Sequence, residues 1–203
     1  MRVRRLLIFL MMAVFFLACP RQAVAYGRFG ASDLMYIPTS GTLNQDVYGL
    51  YLTFSSGGAV LGGDLGLIPN LELGAVVFIY EGQEDASLRD KYHLLQEKRD
   101  GFGLAVGIED IGDGVISPYL VAGKTLTPGL QGYLGFGGGE IAGIFFGLNK
   151  SFSGRQEGSI FVEYDSSHLN LGARLKLQAN LGLDVGIIDL ETLVVGLSYL
   201  GTF

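Results

Sequence analysis

Apolar residues recur at every second position along most of this chain, and that period constrains the fold more than any other feature. Leu169, Leu171, Ala173, Leu175 and Leu177 alternate with Asn170, Gly172, Arg174 and Lys176. Leu71, Leu73, Ala75, Val77 and Ile79 alternate with Glu72, Gly74, Val76 and Phe78. Phe102, Leu104, Val106 and Ile108 face away from Gly103, Ala105, Gly107 and Glu109. Ile160, Val162 and Tyr164 do the same against Ser159, Phe161 and Glu163. Side chains alternate across a strand, whereas a helix would scatter these residues around its axis. Each segment is therefore a strand with one apolar face. The pattern is poorer over 142–152, where Lys150 interrupts the set Ile144, Phe146, Leu148 and Phe152.

Twelve such strands are expected: 46–56, 59–67, 70–80, 87–95, 101–110, 115–126, 130–138, 142–152, 158–165, 168–177, 180–189 and 192–203. Pro69-Asn70, Thr127-Pro128-Gly129 and Gln178-Ala179-Asn180 mark turns on one side, joined by the polar stretches 96–100 and 154–157. Turn signals on that side return at the length of one hairpin, so the chain reads as a hairpin repeat. The connections on the opposite side are short as well, the longest being 81–87.

A twelve-stranded open sheet leaves two unpaired edges, and closure removes them. The expected fold is all-β, an up-and-down antiparallel transmembrane barrel. Charged residues make up only 17% of the chain, and there are 32 glycines and no tryptophan. Mean hydropathy is +0.38. High apolarity without a long apolar helix after the N-terminus fits strands that spread their apolar face over lipid. The opposite face is small or charged: Gly62, Gly66, Glu72, Gly74, Arg89, Lys91, His93, Glu109, Glu163, Arg174, Lys176 and Asp184. These would line the lumen, and the inward glycines leave space there. A soluble β-protein would reverse the two faces, and periodicity alone does not separate the cases.

The termini bear on the choice. Arg2, Arg4 and Arg5 precede an apolar run, Leu6 to Ala18, followed by Ala23-Val24-Ala25. This is the pattern of a secretory signal peptide, and the run is too short for a spanning helix. The expected organisation is a signal peptide over 1–25, an extended segment over 26–45 and a barrel over 46–203. The extended segment could lie in the periplasm or enter the barrel. Phe16-Leu17-Ala18-Cys19 also resembles a lipobox, so Cys19 is a candidate for lipidation. At the other end Phe203 and Tyr199 resemble the assembly signal of outer-membrane barrels, with Gly201 in place of the usual large residue. Without Arg2, Arg4, Arg5 and Arg21, ten basic residues face twenty acidic ones, a formal charge of −10. Nucleic acid, which needs a basic footprint, is excluded as a partner.

Several stretches carry a family resemblance. They are Met35-Tyr36-Ile37-Pro38-Thr39, Leu67-Ile68-Pro69-Asn70-Leu71-Glu72-Leu73-Gly74, Ala105-Val106-Gly107-Ile108-Glu109-Asp110-Ile111-Gly112, and Glu163-Tyr164-Asp165 with Asn170-Leu171-Gly172-Ala173-Arg174. In order and spacing the chain resembles the YjbH-type exopolysaccharide-associated outer-membrane proteins, as a partial-length relative. The resemblance implies a barrel linked to polysaccharide production or export, with many relatives being lipoproteins.

Catalytic patterns are sparse. Ser166-Ser167-His168 near Glu163 and Asp165 invites comparison with a lipid hydrolase. Ser167 and His168 would point to opposite faces of a strand, and a polar turn is the simpler reading. Two histidines without a mature cysteine make a zinc site improbable. Asp110, Asp113 and Gly114 lack calcium-loop spacing, and Gly135-Phe136-Gly137-Gly138-Gly139 lacks the residues of a phosphate loop. The expectation is therefore a non-enzymatic barrel without cofactor, in the outer membrane of a diderm bacterium after general secretory export. Its expected partners are outer-membrane lipids, the barrel-assembly machinery and a polysaccharide or its export proteins. It would act as a narrow conduit or scaffold. The alternatives are a lipid-modifying hydrolase on the same barrel and a secreted soluble glycan-binding β-protein.

Overall fold

Every strand is hydrogen-bonded to the strand before and after it in sequence, and the last returns to the first. The computed structural model describes residues 29–80, 83–112 and 115–203. Among them are β1 (Val47–Ser55), β2 (Gly58–Ile68), β3 (Leu71–Tyr80), β4 (Gln83–Leu95), β5 (Gly103–Ile111) and β6 (Ser117–Thr127). There follow β7 (Leu130–Gly137), β8 (Gly143–Phe152), β9 (Gly158–Tyr164), β10 (Leu169–Lys176), β11 (Leu181–Ile188) and β12 (Thr192–Thr202), with one short 3-10 turn at Gly139–Ile141. All pairings are antiparallel and the barrel is closed. The closing pair runs in register from Val47↔Thr202 to Ser55↔Val194. The Phe203 N–H then donates to the Asp46 carbonyl at 3.1 Å. The expected signal peptide, Cys19, and Asp113 with Gly114 lie outside the described residues.

Turn chemistry at the termini end follows the sequence. Pro128 and Gly129 (φ 74°) form the β6–β7 connection, and Pro69 and Asn70 (φ 69°) the β2–β3 connection. Proline presets the first central position, while Gly or Asn accepts the positive φ of the second. One expectation is corrected. The 81–87 segment is not a loop, because β4 begins at Gln83 and pairs with β3 from Gln83↔Tyr80 through Ser87↔Val76. Gln, Glu and Asp have low strand preference, and the template offered by β3 overrides it.

The two faces of the sheet differ sharply. Phe136 (64% exposed), Ile144 (60%) and Leu193 (58%) stand on the outer wall. Glu163 and Asp184, on the inner face, have no exposure at all. Leaving a large apolar side chain in water forgoes about 1.5–3 kcal/mol, and such a continuous belt far exceeds the patches that soluble monomers tolerate. Lys150 is also outward, near the end of β8, and its ammonium reaches the Pro128 carbonyl at 3.0 Å. It keeps its stem on the belt and its charge at the rim. Asp90 is outward too, beside a bulge between Leu88 and Asp90. Its Oδ1 accepts the Ile108 N–H at 2.9 Å.

Gly201 is likewise resolved by the fold. Tyr48 lies directly opposite it. The Tyr48 ring occupies the space a Cβ at Gly201 would need. The ring sits 5.0 Å from that of Phe203 and 6.2 Å from that of Tyr199. The aromatic cluster at the seam thus borrows from β1 the side chain that β12 lacks.

Candidate functional site in the barrel lumen

Strand parity decides which side chains enter the lumen. It turns Glu72, Arg89, Lys91, Glu109, Glu163 and Asp184 inward, and all six are buried. His93 is half-buried, and its Nε2 has no hydrogen-bond partner. Arg174 is partly exposed, and Lys176 stands at the termini-side mouth, paired with Glu157 at 2.8 Å. So many buried charges are tolerable only when paired.

Their partner is the segment before β1. Residues 29–45 run inside the barrel, and Phe29, Leu34, Met35 and Ile37 are all but inaccessible. The segment carries its own charge, Asp33, which binds Lys91 Nζ at 2.6 Å and Arg89 Nη1 at 3.2 Å. Arg89 also donates from Nε to Asp64 Oδ1 at 2.8 Å. Burial alone would push the Asp33 carboxyl up, but Lys91 and Arg89 outweigh it and hold it below its usual range.

Wall carboxylates in turn hold the backbone of this plug. Asp64 accepts the Ala31 N–H at 2.8 Å, and Glu72 accepts the Leu43 N–H at 2.7 Å and the Ser32 hydroxyl at 2.8 Å. Glu163 accepts three backbone N–H groups, from Met35 (3.0 Å), Tyr36 (2.8 Å) and Ile37 (3.3 Å). Asn170 Nδ2 adds a fourth donor at 3.1 Å. A turn whose N–H groups converge is an anion-binding concavity, and here the wall supplies the anion.

Glycine makes room in two ways. Gly62, Gly107, Gly135 and Gly172 each face an aromatic side chain across the ladder: Tyr51, Tyr119, Phe145 and Phe161. In each pair the ring fills the place of the missing Cβ. Gly49, Gly66, Gly147 and Gly186 instead receive the plug, through Ala31, the Asn44 carbonyl, Leu34 with Ile37, and Met35. This corrects the expectation that inward glycines leave the lumen open. They are the sockets of rings and of the plug.

Asp64 and Asn170 were absent from the sequence-derived set, although both have inward parity. Asp33 gave no such signal, because its segment has no alternation. At the far end, Asp165 Oδ1 accepts the N–H groups of Ser167 (3.0 Å) and His168 (2.8 Å). Its Oδ1 lies 3.5 Å from His168 Nδ1. Ser166 has a φ of 82°. These contacts close the β9–β10 turn.

The class defined by this geometry is a closed, twelve-stranded barrel of porin-like fold with an internal N-terminal plug. A solved KdgM porin superposes with a TM-score of 0.57 at 14% identity, over 75% of this chain and 98% of the porin. A KdgM porin in complex with disordered oligogalacturonate gives 0.56 at 15% identity, with the same coverage. At these identities the likeness is one of fold. No family model and no curated protein matches the chain.

Proposed function

We propose that this protein is an outer-membrane β-barrel, exported by the general secretory route, that serves surface-polysaccharide production or export. It acts as a plugged conduit or a scaffold and carries out no catalysis. The observation that carries the reading is the separation of faces: an apolar belt outside, and inside it a charged wall that grips residues 29–45. A soluble glycan-binding protein would bury the belt and wet the charges.

Two further observations support the polysaccharide link. Three of the four stretches that resemble YjbH-type proteins, far apart in sequence, meet at the plug. The N–H groups of Met35, Tyr36 and Ile37 bind Glu163, Leu43 binds Glu72, and Asn170 orients Glu163. One of the KdgM structures is a complex with an oligosaccharide. The hydrolase alternative gains no support from Asp165, whose Oδ1 is engaged by the turn backbone.

Fractionation with heat-modifiable gel mobility tests the location. The folded protein should sediment with outer membranes and migrate faster unheated than boiled. Recovery from the aqueous fraction without detergent would defeat the proposal. Single-channel recording in planar bilayers tests the conduit: the seated plug should keep the wild type silent, and its release should give discrete openings. A released plug without conductance would leave the scaffold reading and remove the conduit.

A further inference from the structure

The cations of the described strands and turns are unevenly placed. Lys98, Arg99, Lys124, Lys150, Arg155 and Lys176 lie at the end that carries the termini. The far-end connections, residues 56–57, 81–82, 112–116, 138–142, 165–168 and 189–191, contain no Lys or Arg at all. Those six cations stand beside four acids, Asp46, Glu97, Asp100 and Glu157, whereas the far-end connections carry six acids, so an anionic chain is favoured at the termini end relative to the far end. Two cavities open from that end into the lumen. The outer one, about 480 Å³, is bordered by Ser159, Arg174, Asn180, Lys176 with its partner Glu157, and the apolar Leu175 and Leu200 among others. The inner one, about 210 Å³, lies against the plug and is bordered by Tyr133, Asn149, Ser159, Phe161, Arg174 and Asp33, the last already paired with Lys91 and Arg89. Ser159 and Arg174 border both, so the two form one groove.

The groove offers the chemistry that recognises a sugar. Hydroxyls and amides match ring hydroxyls, and Tyr133 and Phe161 supply apolar surface. The Asn149 Oδ1 is buried without a hydrogen-bond partner. Arg174 is the informative residue. Its Nε donates to Asp184 Oδ1 at 2.6 Å, but Nη1 and Nη2 reach only the Asp33 and Gly30 carbonyls, both at 3.4 Å. Those two contacts lie at the long limit for a hydrogen bond. A guanidinium anchored through Nε keeps the paired donors that a carboxylate accepts in bidentate fashion.

We propose that this groove on β7–β12 is a binding site for a uronate-bearing oligosaccharide, with Arg174 as its carboxylate anchor. The proposal rests on the polysaccharide reading above and names its substrate class. The anionic chain enters from the termini side and meets the plug at the inner cavity.

The test is calorimetric titration of the folded full chain in detergent micelles with tri-galacturonic acid, and with maltotriose as the neutral counterpart. The trimeric uronate should bind at least tenfold more tightly than maltotriose, and the preference should shrink as salt rises. Arg174→Gln should lower uronate affinity about tenfold and leave maltotriose within threefold. Ser159→Leu, which obstructs the groove from the position directly opposite Arg174 while keeping both the Arg174 and Asp184 side chains, should abolish uronate binding and serves if Arg174→Gln does not fold. Equal affinity for the two sugars, absence of uronate binding, or uronate binding untouched by either variant overturns the assignment. Heat-modifiable mobility is read on every sample. A folded membrane barrel that ignores the uronate rejects this site alone, whereas loss of the membrane fraction rejects the functional reading beneath it.

Discussion

Replacing Glu163 with Ala is the sharpest probe of how the plug is held. The substitution removes the acceptor of the Met35, Tyr36 and Ile37 N–H groups at one stroke. Those groups are buried, and the space vacated by the side chain is wide enough for water to enter and partly satisfy them. Hydrogen bonds to a charged acceptor contribute about 1.5–3 kcal/mol each when lost, and water repays a share of that. A net loss of about 3–4 kcal/mol in plug docking follows, equal to roughly two to three powers of ten in the undocked population. Amide hydrogen exchange reads this directly. Exchange at Met35–Ile37 should accelerate roughly a hundredfold or more, while the ladder amides of β1 and β12 stay protected. Glu163→Gln keeps the shape and one carbonyl oxygen, so it should fall between wild type and Ala. Exchange at Met35–Ile37 within threefold of wild type, in a barrel that keeps its heat-modifiable mobility, would refute the clamp.

Acid should loosen the same plug through a different residue. The Asp33 carboxyl is held below its ordinary value of 3.8. Its contribution to docking is therefore complete above that value and is lost as pH falls through the lower, folded-state value. On account of this group, protease sensitivity of residues 29–45 should rise in strong acid and stay level from pH 6 to 9. Gly186→Leu should expel Met35, because a Cβ at Gly186 would lie 2.6 Å from the Met35 sulfur. The expected result is a protease-sensitive N-terminal segment on an intact barrel, checked by mass spectrometry after limited digestion. On the outer wall, Leu134→Arg should destabilise the barrel in lipid vesicles by about 2–4 kcal/mol if it sits near the bilayer midplane. Urea unfolding in vesicles measures it, and a neutral outcome would count against lipid contact on β7.

Much of this protein was legible in its amino-acid order. The period of two marks most of the strands, and it fixes which residues share a face: Leu169 with Leu171, Glu163 with Ser159. Pro128-Gly129 and Pro69-Asn70 place their turns because few dihedral angles are open to those residues. What local pattern does not encode is partnership. Gln83 to Ala86 look like a loop until β3 offers a template, and Gly201 looks like a defect until Tyr48 is found opposite it. The inward glycines illustrate the same limit, since parity gives their direction but not the ring or plug residue that fills their place. The plug is the extreme case. Residues 29–45 have no alternation, and Asp33 meets Arg89, Lys91 and the Arg174 side chain only when the sheet has curled round them. Alternation is a property of neighbours along the chain, so the sequence determined strands, faces and turns. The gripping of residues 29–45 depends on groups as far apart as Met35 and Glu163, and only the closed barrel brings such groups within hydrogen-bonding distance.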